Sequence, residues 1–543
     1  MNITGRRSNS DSSWSFGSIV GTNLVLGILS FGLLYWLFPE QFHNVIFEQV
    51  FLRGLYILPW VIFGAGLAFF ARKANWNPSR RFVTVATFLA LLLVLGNATL
   101  YVSADYLTFL SYVNFAPRQG LVVTDPDFVR YSPLHNANFD LKSSVKNSTE
   151  QIDYEYTVPV ITAKGFSYVS PLTNSGIINV FCNKNPGFMF YDDRKDATEK
   201  ERVRPIDQPF TIGQDMQWFD NLYRNTIQTD FFTEFDTPHY LVLDLTKPET
   251  FTTVIPKIKY SWFTLPHWAG VILVHDNGKI ENLTKEQTLA DPRLKGQWVY
   301  PQKLALYYVK LENYKAGWGI LSTFVRVEGR LEVPELPGEN QFPFLVRGTD
   351  GKCYHMIATK PQGSGSGLYR MYYVDASTGE GTYHEFSSKE IIYGPDTGLK
   401  RVSNLPTWNW YHKDGDSKSG NMVAIEPVYI VRPSEPNVLY WKYTVTNLGY
   451  AGISESVVAP AANVDTMIEY KERRDLEKWL RGGITGPAVS SPATISTATP
   501  PPITPNSTGT DTVLASDLAS LRKSIEEALG KVRDLERRSG SRN

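Results

Sequence analysis

The strongest constraint on this chain lies in its first fifth, where three apolar runs carry no Asp, Glu, Lys, Arg or His. Ser18–Phe38 reads SIVGTNLVLGILSFGLLYWLF, 21 residues long. A helix of about 20 such residues crosses the hydrocarbon core of a bilayer. Gly54–Ala71 is shorter and holds Pro59, which a membrane helix tolerates when neighbours satisfy the freed carbonyl. Phe82–Val102 (FVTVATFLALLLVLGNATLYV) is again uncharged. A cleaved signal would lead into a polar mature chain rather than into two more apolar runs. The sequence therefore predicts a tail over 1–17 and a three-span membrane anchor over 18–102.

Orientation follows from Lys and Arg in the short flanks. The tail has Arg6 and Arg7, the 39–53 connection only Arg53, and the 72–81 connection Arg72, Lys73, Arg80 and Arg81. The N-terminus is expected to be cytoplasmic, with everything after Val102 extracytoplasmic. Spans without an ionisable residue argue against a proton relay, a voltage sensor or a charged-substrate path. Asn23 and Asn97 read as helix-to-helix hydrogen bonds, and Gly64 with Gly66 as a small-residue patch for close approach.

Downstream the periodicity changes. Tyr154–Ile161, Tyr240–Leu245, Gly270–His275, Phe324–Val333 and Tyr440–Asn447 are rich in Val, Ile, Thr, Tyr and Trp and are bounded by Pro, Gly, Asn and Asp, the pattern of strands joined by turns. Helices are expected at Lys285–Leu289, Pro301–Leu311 and Val464–Arg481, the last closed by Gly482 and Gly483. The body reads as α+β and mainly antiparallel, with one subdomain over 103–335 and a second over 336–482 ending in a helix. The Pro-rich Glu332–Pro343 marks the soft boundary.

Val271–Glu286 (VILVHDNGKIENLTKE) and Met371–Glu390 (MYYVDASTGEGTYHEFSSKE) echo one another. Each runs from a strand through an Asp-containing turn to Gly, then to a polar tail ending in Thr-Lys-Glu or Ser-Lys-Glu. Gly with Asp or Asn closes a hairpin, and the Ser or Thr can cap a following helix. Tyr373–Glu380 (YVDASTGE) also resembles the strand-and-turn signature of PepSY-type domains, small extracytoplasmic α+β modules. That resemblance covers under a tenth of the chain and implies a binding or regulatory module acting on a peptidase.

Lys plus Arg and Asp plus Glu both number 54, for a net charge of zero, which argues against a nucleic-acid partner because phosphate contacts demand a basic excess. Two Cys exclude a disulfide scaffold. Cys182 and Cys353 could form one long-range disulfide or remain free thiols. Gly363–Gly367 does not run into a helix, as a phosphate loop must; the calcium-like start at Asp414–Asp416 fails because Lys418 takes the next ligand position. His267, His275, His355, His384 and His412 make no closed metal-ligand spacing, and Cys353 with His355 lacks a visible third group to orient the imidazole. The mixed-charge run Tyr191–Arg204 reads as a solvated helix or loop. Trp408, Trp410 and Tyr411 could stack a sugar or grip a partner, or close a sheet core. No catalytic, metal or cofactor-binding residue is assigned.

Residues 483–511 are rich in Pro, Ser and Thr and read as an extended linker. Over 512–538, Leu514, Leu518, Leu521, Ile525, Ala528, Val532 and Leu535 recur at alternating spacings of 4 and 3, the seam of a short coiled coil. The expected protein is a noncatalytic, membrane-anchored scaffold or binding subunit of an envelope-associated assembly. Its expected partners are the lipid bilayer and further copies or other subunits, held through the coiled coil and the spans. A membrane-anchored extracytoplasmic hydrolase and a PepSY-like peptidase regulator are the alternatives.

Overall fold

The computed structural model describes residues 30–52 except 31 and 34, and residues 103–483 except 163–164, 177–183, 195–201, 217, 245–249, 262–264, 317–328, 337–339, 364, 366, 388, 412–419 and 450–451. The second and third apolar runs, most of the first, nearly all of the linker and the coiled-coil seam lie outside these residues. Among the described residues, no helix is long and apolar enough to cross a membrane.

The fold is mixed α+β and dominated by antiparallel sheet. A short strand β1 (Phe115–Pro117) and helix α1 (Leu134–Ser143) open the body. Four meanders follow in chain order, each leading into a helix. The first holds β2 (Glu150–Gln151), β3 (Val158–Thr162), β4 (Gly165–Asn174), β5 (Gly187–Asp192) and β6 (Val203–Ile206), then α2 (Leu222–Thr229). The second holds β7 (Glu234–Phe235), β8 (His239–Leu241), β9 (Thr252–Ser261), β10 (Leu265–Val274) and β11 (Ile280–Leu283), then α3 (Lys285–Ala290) and α4 (Gln302–Leu311). The third holds β12 (Leu331–Glu332), β13 (Phe344–Arg347), β14 (Cys353–Pro361), β15 (Arg370–Asp375) and β16 (Gly381–Glu385), then α5 (Pro395–Val402); β1 joins β16 in parallel. The fourth holds β17 (Met422–Val431), β18 (Leu439–Asn447), β19 (Ile453–Pro460) and β20 (Ile468–Tyr470), then α6 (Arg473–Leu480).

Strand alternation decides which sheets are covered on both sides. All ten residues of β4 are buried. Val169 joins Phe188, Tyr240 and Phe251 in one cluster, whereas Tyr168 and Leu172 join Ala137 and Leu141 of α1 in another. The largest core draws on both predicted subdomains, taking Leu121, Val271 and Tyr308 from one stretch and Tyr372, Trp441 and Met467 from the other. Helix α4 packs on β10 and β14 and buries Leu304, Ala305, Tyr308 and Val309. Each large side chain so buried stabilises the fold by roughly 2–3 kcal/mol relative to exposure. Edge strands β13 and β17 are stitched through Thr124 and Asp125, whose amides donate to Val431 and Arg347 carbonyls, both at 2.9 Å.

Both echoed segments form hairpins, closed over five residues (275–279) in the first and six (375–380) in the second. In the first, Val274 pairs with Ile280 and the His275 amide donates to the Lys279 carbonyl at 3.0 Å. In the second, Val374 pairs with Gly381 and the Asp375 amide donates to the Glu380 carbonyl at 2.8 Å. Gly278 and Gly379 carry the positive φ of each turn, 82° and 79°. The tails diverge. Thr284 makes a capping box with Gln287 at α3, whereas Ser387 accepts from the Lys389 amide in a turn that starts no helix.

Three expectations are corrected, the first being the strand over Tyr240–Leu245, which stops at Leu241 as β8. The helix expected over Val464–Arg481 begins only at Arg473, because Ile468–Tyr470 pairs with Ser456–Val458 as β20; sheet pairing outweighs the local helical spacing. The strand expected from Tyr154 starts at Val158, after a single tight turn over Tyr154–Tyr156. The mixed-charge run falls across a hairpin, with Tyr191 in β5 and Val203 and Arg204 in β6 paired across its ends.

Candidate functional site: buried charges and a cavity between sheets

Glu426 and Lys442 each stand alone as a charge in a strand that is otherwise largely apolar, and both are 1% exposed. The register of β17 against β18 shifts between Ile425 and Val428, so Glu426 sits in a bulge with φ of 49°. Bulges re-aim side chains. This one brings the Glu426 carboxylate to the start of α1, where Oε2 accepts from the Leu134 amide at 2.9 Å and Oε1 from the His135 amide at 3.3 Å. The N-cap residue of α1 is Pro133, which supplies no side-chain cap. A carboxylate at a helix N-terminus fills that need and meets the positive end of the helix dipole. Arg130 pairs with the same Oε2 and donates through Nη1 to Asn340 Oδ1 at 2.9 Å.

Asp193, fully buried just after β5, accepts from the Tyr131 amide at 2.8 Å and the Ser132 amide at 2.9 Å. Arg473 of α6 donates to the Asp193 carbonyl and lies 4.1 Å from the Tyr131 ring centroid. Tyr168 donates to the Ser132 carbonyl at 2.7 Å, and Tyr191 to Ser132 Oγ at 2.9 Å. Lys442 of β18 donates to the Tyr131 carbonyl and to Thr444 Oγ1 at 3.0 Å. The strap 130–135 is thus held by carboxylates from the first and fourth meanders, so the cluster locks those two sheets together.

Burial drives the titration of these groups. It pulls the Lys442 ammonium down to about 7, with Asp193 opposing. It pushes the Asp193 carboxyl up, with Arg473 opposing. A lysine near neutrality can act as a base or nucleophile, but the Lys442 hydrogens point at two fixed acceptors. Through those two hydrogen bonds it braces the strap against β18.

Beside Arg130 lies a cavity of about 190 Å³. Phe128, Phe166, Tyr168 and Phe344 form apolar walls, and Arg130, Asn340, Gln341 and Gln302 add polar groups. A second cavity of about 90 Å³ shares Pro159 and Gln302 with it. There His239 stacks on Trp298 at 3.8 Å, and burial pulls its imidazole down to about 3. Asp236, raised by burial, accepts from the Thr237 amide at 2.8 Å and from the Lys303 amide of α4 at 3.1 Å.

The residues singled out from sequence are scattered. Trp410 lies in the largest core and donates to the Leu405 carbonyl at 2.7 Å; Tyr411 is 42% exposed; Trp408 is half-buried. Cys353 is buried in β14 and its thiol is pushed up to about 12 by burial. Cys182, His412, Asp414 and Asp416 lie outside the described residues, and with Cys182 lies the expected pairing. His355 is buried against the Tyr300 carbonyl at 3.0 Å, and His275 meets Glu281 at 3.2 Å. Among the described residues, no group of three His, Cys, Asp or Glu is placed to hold a metal ion.

Trp408 marks a group that sequence reasoning missed. Its Nε1 donates to Glu455 of β19 at 3.1 Å. Val457 faces Glu469 in register, which sets Glu455 diagonal to Glu469 across β19 and β20. Burial first, and then Glu469, push the Glu455 carboxyl up to about 7 from 4.5. The folded chain therefore keeps a proton between those values that the unfolded chain has released, so stability falls as pH rises through that window and the full cost stands above it. Glu455→Gln is expected to gain about 2 kcal/mol over the parent at alkaline pH and little at acidic pH. Urea denaturation on either side of the window measures the difference, and equal gains on both sides would refute the titration account.

Comparison of the chain with protein-family models, curated proteins and solved structures finds no match.

Proposed function

We propose that this chain is a noncatalytic membrane-anchored subunit that presents its β-rich body on the extracytoplasmic face as a scaffold or binding platform. One observation carries the reading. Neighbouring residues at the end of β9 touch the two segments that bracket residues 53–102: the Tyr260 ring lies 6.3 Å from Phe47, and Ser261 accepts from the Tyr112 hydroxyl at 3.0 Å. Chain that leaves at 52 and returns at 103 to the same end of one strand fits a pair of crossings, which agrees with the two apolar runs in that interval.

Further contacts seat both segments. His43 meets the Thr233 carbonyl at 3.1 Å, and Asp105 accepts from the Tyr307 hydroxyl at 2.5 Å. The buried cluster supports a platform over a catalyst, because Glu426 and Asp193 spend their oxygens on backbone amides and so hold sheets in place. The tethered seam from Leu514 to Leu535 would join the platform to copies of itself or to another subunit. Crosslinking of the membrane-embedded protein is expected to trap oligomers or a defined complex, and deletion of residues 512–538 to reduce them strongly. Monomers before and after deletion would remove the assembly claim.

A further inference from the structure

We propose that the body itself dips into the lipid headgroup region, through an aromatic collar that continues from the first span onto the residues flanking α2, between the first and second meanders. This rests on the membrane-anchored reading and goes beyond it, since anchoring by spans alone would leave the body free in water.

Large apolar side chains gather where the chain meets its first span. Trp36 and Phe38, at the end of that run, are 46% and 49% exposed, and Val45 follows at 54%. The body adds Phe219 and Phe232, each 55% exposed. These are not scattered residues. Phe219 lies 5.5 Å from Trp36, and Phe232 lies 6.5 Å from Phe47, which is fully buried within the helical stretch His43–Leu52. Arg224 fixes the collar by donating to the Trp36 carbonyl at 2.6 Å while its guanidinium lies 4.8 Å from the Phe219 ring centroid. Buried scaffolding under exposed rings indicates that the rings are held out deliberately, and contiguous apolar patches of this kind mark an interaction surface.

Its position names the occupant. Trp36 and Phe38 belong to the first apolar run and Val45 lies seven residues beyond it, so the collar meets the bilayer interface before it can meet anything else. Aromatic rings concentrate at that level because an apolar body with a polarisable face suits the boundary between acyl chains and water. Phe219 and Phe232 come from sequence nearly two hundred residues away, yet contact the same segment.

The test uses the full chain with Cys182→Ser, reconstituted into phosphatidylcholine–phosphatidylglycerol vesicles. Buried Cys353 stays in place. Spin labels are attached at Phe219→Cys and Phe232→Cys, at Val45→Cys as the milder substitution, and at Ile391→Cys, a 67% exposed position outside the collar, as the aqueous reference. Vesicle flotation reports anchoring independently. Collar labels on floating protein are expected to show several-fold lower accessibility to a water-soluble nickel relaxant than the reference, together with raised accessibility to oxygen. Floating protein whose collar labels match the reference would overturn the collar and leave the anchor standing. Labels shielded from both relaxants would assign the surface to a second copy of the chain and also overturn it. Protein that fails to float would overturn the anchor and the collar with it.

Discussion

Replacing Glu426 by Ala is expected to destabilise the body by about 3–5 kcal/mol, the range for removing one partner of a buried ion pair. The loss has three physical parts. Arg130 is left in the interior without its carboxylate. The Leu134 and His135 amides lose their acceptor at a helix start that has no other side-chain cap. The bulge at φ 49° loses the interactions that hold a non-glycine residue there. Companion variants separate them. Glu426→Gln keeps amide-accepting oxygen but no charge, and is expected to lose about half as much. Glu426→Gly relieves the backbone and is expected to be about 1 kcal/mol more stable than Glu426→Ala. Denaturation of the detergent-solubilised full chain gives the values. A loss under about 1 kcal/mol for Glu426→Ala would show that the strap 130–135 is held by other contacts.

How far this cluster could be read beforehand depends on what each residue's own sequence context carries. Glu426 in MVAIEPVYIV interrupts a strand that is apolar on both faces, and Lys442 in LYWKYTVTN one that carries no other charge and has Leu439, Trp441, Tyr443 and Val445 along its opposite face. Such strands lie inside a fold, so a lone charge in them must find a partner; that signal was present. The partners were not legible. Glu426 lies 296 residues from Arg130, and Lys442 lies 311 residues from Tyr131. No local period links positions so far apart.

The hairpins at Asp276–Gly278 and Ser377–Gly379 were readable because turn chemistry is local, and α4 because its apolar spacing covers ten residues. The start of α6 is not local information, because Ile468 and Tyr470 answer to β19, a neighbour that helical spacing does not register. Trp410 shows the same limit: an aromatic trio in sequence becomes one core residue, one half-buried donor and one exposed ring once the surrounding strands are in place.

Gly270→Ala is expected to cost about 3–5 kcal/mol and to loosen the packing of α3 on β10. Gly270 sits at the irregularity between Trp268 and Gly270 in β10, with φ of 104°. An added Cβ would come within 2.2 Å of the Leu283 carbonyl oxygen, 2.5 Å of the Thr284 carbonyl carbon and 2.8 Å of the Lys285 amide nitrogen. These are backbone atoms at the start of α3, and they cannot retreat without opening the Thr284–Gln287 capping box. Trp268 adds a second anchor by donating to the Gly270 carbonyl at 3.1 Å. Gly296→Ala is the control, because its φ of 73° is also positive but nothing lies within 4 Å of the added carbon. Its expected cost is about 1 kcal/mol, the conformational penalty alone. Thermal unfolding of the two variants side by side isolates the steric part. If both alanines lost equal stability, the penalty would belong to φ, and the close approach of β10 to Leu283–Lys285 would not be what holds α3 against β10.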